Sequence, residues 1–183
     1  MALRQASDEV ARSDVYLFKP SDAILFNQGS DNGTPTQKDE PQAPNAPTGA
    51  TIDYYFKAAA TGPVSLEILD ARGACVALFS SAPLADSGCA SSGRGGRAGA
   101  GRGGAAAGGI PNTSALWRPT PEPFSTDAGM HRIVWSPGGG GRGFGGGRGA
   151  ATPPPTGTFT AKLSVNGQNY TQTFVLKPDP RLK

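Results

Sequence analysis

Thr51–Ser80 reads TIDYYFKAAATGPVSLEILDARGACVALFS, and its alternation decides the fold class. Ile52, Tyr54 and Phe56 alternate with Thr51, Asp53 and Lys57; Val64, Leu66 and Ile68 alternate with Ser65 and Glu67. A pleated backbone sends successive side chains to opposite faces, so a period of two over such runs predicts strands buried on one side. Thr61-Gly62-Pro63 breaks the chain between the first two runs, and Asp70-Ala71-Arg72-Gly73 supplies a turn before a third run that opens at Cys75. The expectation is a β-meander that seeds a sandwich.

Downstream, Met130–Ser136 (MHRIVWS) places Ile133 and Trp135 on one face of a further strand. Thr158–Val165 does the same with Phe159, Ala161, Leu163 and Val165, and Gln168–Lys177 returns with Tyr170, Phe174 and Leu176. Asn166-Gly167 joins these two runs as a two-residue hairpin turn, in which both positions need positive φ. Gln172 interrupts the apolar face of the last run, which predicts a position near a sheet edge. Leu116-Trp117 is followed by prolines at 119, 121 and 123, which exclude a central strand and favour an extended crossing segment. The whole reads as all-β: an antiparallel sandwich of immunoglobulin or fibronectin type III-like character with about seven strands. Its expected core is Tyr54, Phe56, Leu66, Ile68, Phe79, Ile133, Trp135, Phe159, Leu163 and Phe174.

Composition divides the remaining chain. Of 183 residues, 27 are Gly and 17 are Pro, and the glycines concentrate in two tracts. Residues 81–110 and 137–155 therefore read as disordered insertions in a sandwich domain spanning 51–178. Residues 29–50 form a Pro-rich linker, and 179–183 a tail. Residues 1–28 form an N-terminal linker with one short helical turn at Ser7–Val10. It carries two apolar runs, Val15-Tyr16-Leu17-Phe18 and Ile24-Leu25-Phe26. An apolar strand without a partner invites aggregation, so these runs are expected to lie against something: the sandwich, a neighbouring domain, or a second copy.

The net charge of +3 is too small to imply a strong polyanion partner. No window carries the 18 or more apolar residues of a membrane span, and the first residues contain no apolar core of a signal peptide. Cys75 and Cys89 are too few for a disulfide framework. A local bridge between them is geometrically feasible, and two unpaired thiols are the alternative.

No catalytic, cofactor or metal-ligating set is legible. His131 is the sole histidine, with no Gly-x-Ser-x-Gly elbow and no partner at ligand spacing, so it reads as a solvated or edge residue. Gly99–Gly104 and Gly141–Gly146 match the dinucleotide fingerprint only because the tracts are so rich in glycine. Arg94, Arg97, Arg102, Arg142 and Arg148 resemble RGG boxes, but Phe144 is the lone aromatic among them, so nucleic acid is disfavoured. Trp117 and Trp135 could serve as a sugar-stacking platform, with a core role for them as the plainer reading.

Four phrases carry a resemblance: LRQASDEVARSDVYLFKP (3–20), APNAPTGATIDYYFKAAATGPVSLEILDARG (43–73), LWRPTPEPFSTDAGMHRIVW (116–135) and PTGTFTAKLSVNGQNYTQTFVLKPDPR (155–181). In this order they resemble the C-terminal region of secreted bacterial proteins with BNR or sortilin-type β-propellers, often labelled glycosyl-hydrolase-like. There, a strand-bearing linker leads from the propeller to an Ig-like sandwich of the flagellar hook-capping type. The resemblance implies a non-catalytic accessory module, extracellular or periplasmic, that packs on or tethers a β-propeller of the same or a neighbouring chain. Val15–Phe18 and Ile24–Phe26 would be its docking strands. Any hydrolase activity would belong to the propeller, which does not precede the module here, so the chain is expected to be a piece of a longer secreted protein. The Gly/Arg tracts depart from the family pattern. A carbohydrate-binding module and an RGG-type nucleic-acid binder are the other readings.

Overall fold

A computed structural model describes residues 2–25, 49–82, 89, 124–137 and 155–181. These residues form an all-β structure with one short α-helix. The helical pieces come first: a 3-10 turn at Ala2–Gln5 and α1 at Asp8–Arg12. The Ser7 side chain accepts from the Val10 amide at 3.4 Å, while Asp8 and Glu9 sit in the positive first turn. Eight strands follow. They are β1 (Val15–Leu17), β2 (Ala23–Leu25), β3 (Ala50–Phe56), β4 (Val64–Leu69), β5 (Cys75–Ser80), β6 (Gly129–Trp135), β7 (Gly157–Val165) and β8 (Gln168–Pro178).

The strands make two sheets. One has the order β1-β3-β6, the other β2-β8-β7-β4-β5. All pairings are antiparallel except β2 with β8. Both sheets feed a single apolar cluster. Ile52, Tyr54, Phe56, Ile133 and Trp135 come from the three-stranded sheet; Leu66, Ile68, Phe159, Leu163, Phe174 and Leu176 come from the other. The Trp135 ring meets the Phe159 edge at 4.9 Å and Phe174 at 6.0 Å, joining the sheets across the core. Burying such side chains contributes about 1.5–3 kcal/mol each, the main favourable term.

The meander expected from Thr51–Ser80 does not form. β4 and β5 pair, but β3 belongs to the opposite sheet. The reason is that β3 and β4 each carry one fully buried apolar row. Pairing them edge to edge would leave both rows on one face with nothing to cover them. The chain from Lys57 to Pro63 instead leads from one sheet to the other, and both rows enter one apolar cluster.

Of the alternatives open for the N-terminal runs, packing on the following strands is the one observed: β1 and β2 are the outer strands of these two sheets. β1 pairs with β3 (Leu17↔Tyr54), and β2 pairs with β8 (Ala23↔Leu176). Leu17, Ala23 and Leu25 join the main cluster. Phe26, residues 29–48 of the 29–50 linker and the crossing segment at Trp117 lie outside the described residues, as do most of the two glycine-rich tracts.

The turns follow local chemistry. Asn166 and Gly167 adopt φ of 50° and 81° between β7 and β8, the hairpin geometry the sequence predicts. Between β4 and β5, one Asp70 carboxylate oxygen accepts from the amides of Arg72 (2.8 Å) and Ala74 (2.9 Å). Cys75 and Cys89 are joined as a disulfide, with Cα atoms 4.8 Å apart.

Candidate interaction face

The outer faces of the two sheets differ in chemistry. On the five-stranded sheet, β7 and β8 point Thr158, Thr160, Lys162, Ser164, Thr171 and Thr173 outward, half-buried or exposed. Lys162 pairs with Glu67 on β4 at 3.0 Å. Such a surface is comfortable in water. The three-stranded sheet points Tyr16, Tyr55, Met130 and Val134 outward, with Phe18 continuing the row beyond β1. Those four residues, beside Asp53 and Arg132 on the same face, leave apolar surface that needs a cover.

The N-terminal segment covers part of it. Ala2 and Val10 pack with Phe18 into a second buried cluster, flanked by Tyr16 and Tyr55. Tyr16 meets Phe18 edge-on at 5.0 Å. The Gln5 amide fastens this cap: its Nε2 donates to the Lys19 carbonyl at 2.8 Å, and its Oε1 accepts from the Lys19 amide at 3.0 Å. The cap stops short of β6. There Met130 and Val134 remain 43% and 39% exposed.

Between those two residues lies an ion pair. Arg132 Nε donates to Asp53 Oδ1 at 2.7 Å and its Nη2 to Oδ2 at 3.2 Å, across the β3–β6 ladder. The Asp53 side chain is only 7% exposed, whereas that of Arg132 is 56% exposed. A bidentate guanidinium is the geometry that best offsets burial of a carboxylate. The result is an apolar–charged–apolar column, Met130-Arg132-Val134, along one strand. It was legible in the alternation: with Ile133 and Trp135 inward, Met130 and Val134 must point out, and apolar residues there have no core role.

The polar groups on the inner side are committed to the fold. His131 lies on β6, an outer strand as the edge reading expected, but it is buried, not solvated, because its position points inward beside Tyr54 (ring centroids 5.3 Å apart) and Phe56. Its Nε2 lies 2.8 Å from the Asp127 carbonyl; a carbonyl only accepts, so that nitrogen carries the hydrogen. The Tyr54 hydroxyl donates to the Ser125 carbonyl at 2.8 Å and lies 3.2 Å from the Ser125 amide, which can donate to it. Asp179, with its side chain 1% exposed, receives Arg181 through contacts of 2.6–3.1 Å that pin the end of β8. The Asp179 carboxylate holds the Arg181 guanidinium pKa above its usual range. Among the described residues, no group of three or more His, Cys, Asp or Glu is placed to hold a metal ion. A shallow hollow of about 160 Å³ at one end is lined by Val15, Phe56, Ala60 and Val165, with Asp14 and Asn166 also in its lining.

The residues singled out in the sequence are therefore scattered. Leu17 and Phe18 are 3% and 2% exposed, and Leu25 is buried too, all against their own domain. They cannot dock elsewhere without leaving it. Tyr16 is half-buried under the cap and Val15 packs on the core, leaving Ile24 as the one exposed member of the described runs. β1 and β2 are outer strands, each paired within the chain on one side. Trp135 is 6% exposed inside the core and cannot stack a sugar; Trp117 lies outside the described residues. So do all five tract arginines, 94, 97, 102, 142 and 148.

No described helix is long and apolar enough to cross a membrane. No family model matches the chain, and neither the curated proteins nor the solved structures yielded a match.

Proposed function

We propose that this chain is a non-catalytic sandwich module of immunoglobulin or fibronectin type III-like type, which packs on or tethers a β-propeller domain in a secreted bacterial protein. The strand order supports the fold reading. The first strand segment splits between both sheets, β1 antiparallel on β3 and β2 parallel on β8. Two hairpins, β4–β5 and β7–β8, lie adjacent in the larger sheet, as in a Greek-key sandwich.

The observation that carries the function is the half-covered outer face of the three-stranded sheet. Docking moves from the N-terminal runs, whose Val15–Leu17 and Ala23–Leu25 pair with the module's own strands, to Met130, Arg132 and Val134. An apolar pair around a charged centre, continuous with the aromatic row under the cap, suits a small inter-domain contact. The propeller as occupant follows from the four phrases that resemble propeller-associated modules. The Cys75–Cys89 bridge favours an oxidising compartment, extracellular or periplasmic. A glycan-binding reading loses Trp135 to the core.

The test is sedimentation velocity of this chain mixed with a BNR or sortilin-type β-propeller encoded beside it. The expected result is a 1:1 complex that Met130→Asp with Val134→Asp weakens at least about tenfold. A wild-type mixture that sediments as two separate species ends the reading.

A further inference from the structure

The registers set Tyr16, Tyr55 and Met130 side by side on the outer face of the three-stranded sheet: Tyr16 stands opposite Tyr55, and Tyr55 opposite Met130. They form one apolar row across β1, β3 and β6. Phe18, whose amide donates to the Asp53 carbonyl at 3.1 Å, lies in the next row. The edge of the N-terminal cap falls inside the first row. Tyr16 and Tyr55 flank the cluster of Ala2, Val10 and Phe18, while Met130 stays exposed. The cap is lightly held. Of residues 2–12, Ala2 and Val10 are buried, Gln5 is half-buried, and the others are exposed. Among the described residues, the hydrogen bonds that tie it to the chain beyond Ser13 are the two between Gln5 and Lys19. Its other backbone bonds are local: the Ala11 amide donates to the Ser7 carbonyl at 3.1 Å, and the Ser13 amide to the Glu9 carbonyl at 3.0 Å. A helix of five residues is far below the length that is stable alone. Strand pairing begins only at Asp14, whose carbonyl accepts from the Lys57 amide at 2.9 Å. Ser13 therefore separates a cap without a ladder from a strand that has one.

We propose that residues 2–12 are an autoinhibitory cover. They undock about Ser13 as one piece while β1 stays paired with β3. The partner of the docking face proposed above, on which this cover depends, then takes the whole row Tyr16-Tyr55-Met130 together with Phe18. A partner seated on Met130 and Val134 meets the cap at Tyr55, so the two compete for one aromatic surface. The cap gives Phe18 only the small side chains of Ala2 and Val10, and an apolar side chain of the partner can take their place. Large aromatic side chains carry much of the energy of an interface, so the uncovered face is the stronger one. The apparent affinity is then the intrinsic affinity reduced by the fraction of molecules whose cap is open.

The experiment joins residue-level hydrogen exchange of the intact chain with its affinity for the β-propeller encoded beside it, for the wild type, Gln5→Ala and Val10→Asp. Gln5→Ala removes both bonds to Lys19 without entering the core. Val10→Asp sets a carboxylate against Phe18, which keeps the cap undocked. In the wild type the Ala11 amide is expected to exchange at least about 100-fold faster than the amides of the β3–β6 ladder. Val10→Asp abolishes its protection and leaves β3, β6, β7 and β8 as they were. Affinity for the propeller rises at least about tenfold in Val10→Asp, with Gln5→Ala between it and the wild type. Protection lost from β3 and β6 in Val10→Asp would make the cap part of the fold and overturn the cover. So would an affinity that neither variant raises. A propeller that binds Val10→Asp but not the wild type ends unaided docking on Met130 and Val134 and leaves the cover standing; one that binds neither ends both.

Discussion

Gln172 Nε2 donates to the Leu17 carbonyl at 3.3 Å, across 155 residues of chain. The bond sits where the N-terminal segment leaves the three-stranded sheet for the five-stranded one. β2 pairs with β8 only at Leu176–Pro178, so around Gln172 that side of β8 has no described ladder partner. A side-chain amide there satisfies a carbonyl that the crossing would otherwise strand. This is why a polar residue interrupts the apolar face of β8.

Replacing Gln172 with Met keeps the volume and removes the donor. The expected loss is about 1–2 kcal/mol, the cost of an unsatisfied, partly buried carbonyl. Thr173→Met, on the outward face of the same strand, should change stability by no more than about 0.5 kcal/mol. Urea denaturation of the two variants checks the contrast; equal effects would mean that the Leu17 carbonyl finds water instead.

Arg132→Ala leaves the Asp53 carboxylate buried without its bidentate partner. The expected cost is about 3 kcal/mol. Asp53→Leu combined with Arg132→Met should recover most of it, because an apolar pair of similar size carries no desolvation penalty. Thermal unfolding of the single and double variants distinguishes a burial penalty from a general weakness of the β3–β6 ladder.

Gly49 precedes β3 with φ of 109°, and a Cβ there would collide with the Trp135 carbonyl. Gly49→Ala therefore combines backbone strain with a clash against the end of β6. It should cost about 2 kcal/mol or more. Gly73 also has positive φ (81°), but a Cβ there meets nothing within 4 Å. Gly73→Ala should cost about 1 kcal/mol, strain alone. Midpoints of chemical denaturation order the two.

Asp22 ties β2 to β8. Its carboxylate lies 3.1 Å from Lys177 Nζ and accepts from the Val175 amide at 3.4 Å. The hydrogen bond from Lys177 pulls the Asp22 pKa below its ordinary 3.8. The folded value is depressed, so the stabilisation is complete above the unfolded pKa. It is lost as pH falls from near 3.8 through the lower folded value. Asp22→Asn should remove that part of the acid sensitivity and leave the pH 7 fold intact. Denaturation midpoints at pH 6 and pH 3 for both proteins give the comparison.

The sequence by itself located the strands from Ala50 onward to within a residue or two at most ends. A pleated strand writes its burial into period two: Ile52/Tyr54/Phe56, Val64/Leu66/Ile68 and Phe159/Ala161/Leu163/Val165 all face inward as their alternation requires. The Asn166-Gly167 turn was equally legible, because positive φ is a local demand. Partners were not. A ladder is made of backbone amides and carbonyls that every residue carries, so Thr51–Ser80 read as a meander although β3 crosses to the other sheet. The three-residue strands at Val15 and Ala23 are too short to announce a partner, and only the assembled core decided that they pair with β3 and β8. The same holds for the Met130–Arg132–Val134 column. Its outward direction is local, but the limit of the N-terminal cap that leaves it exposed is a property of the packed whole.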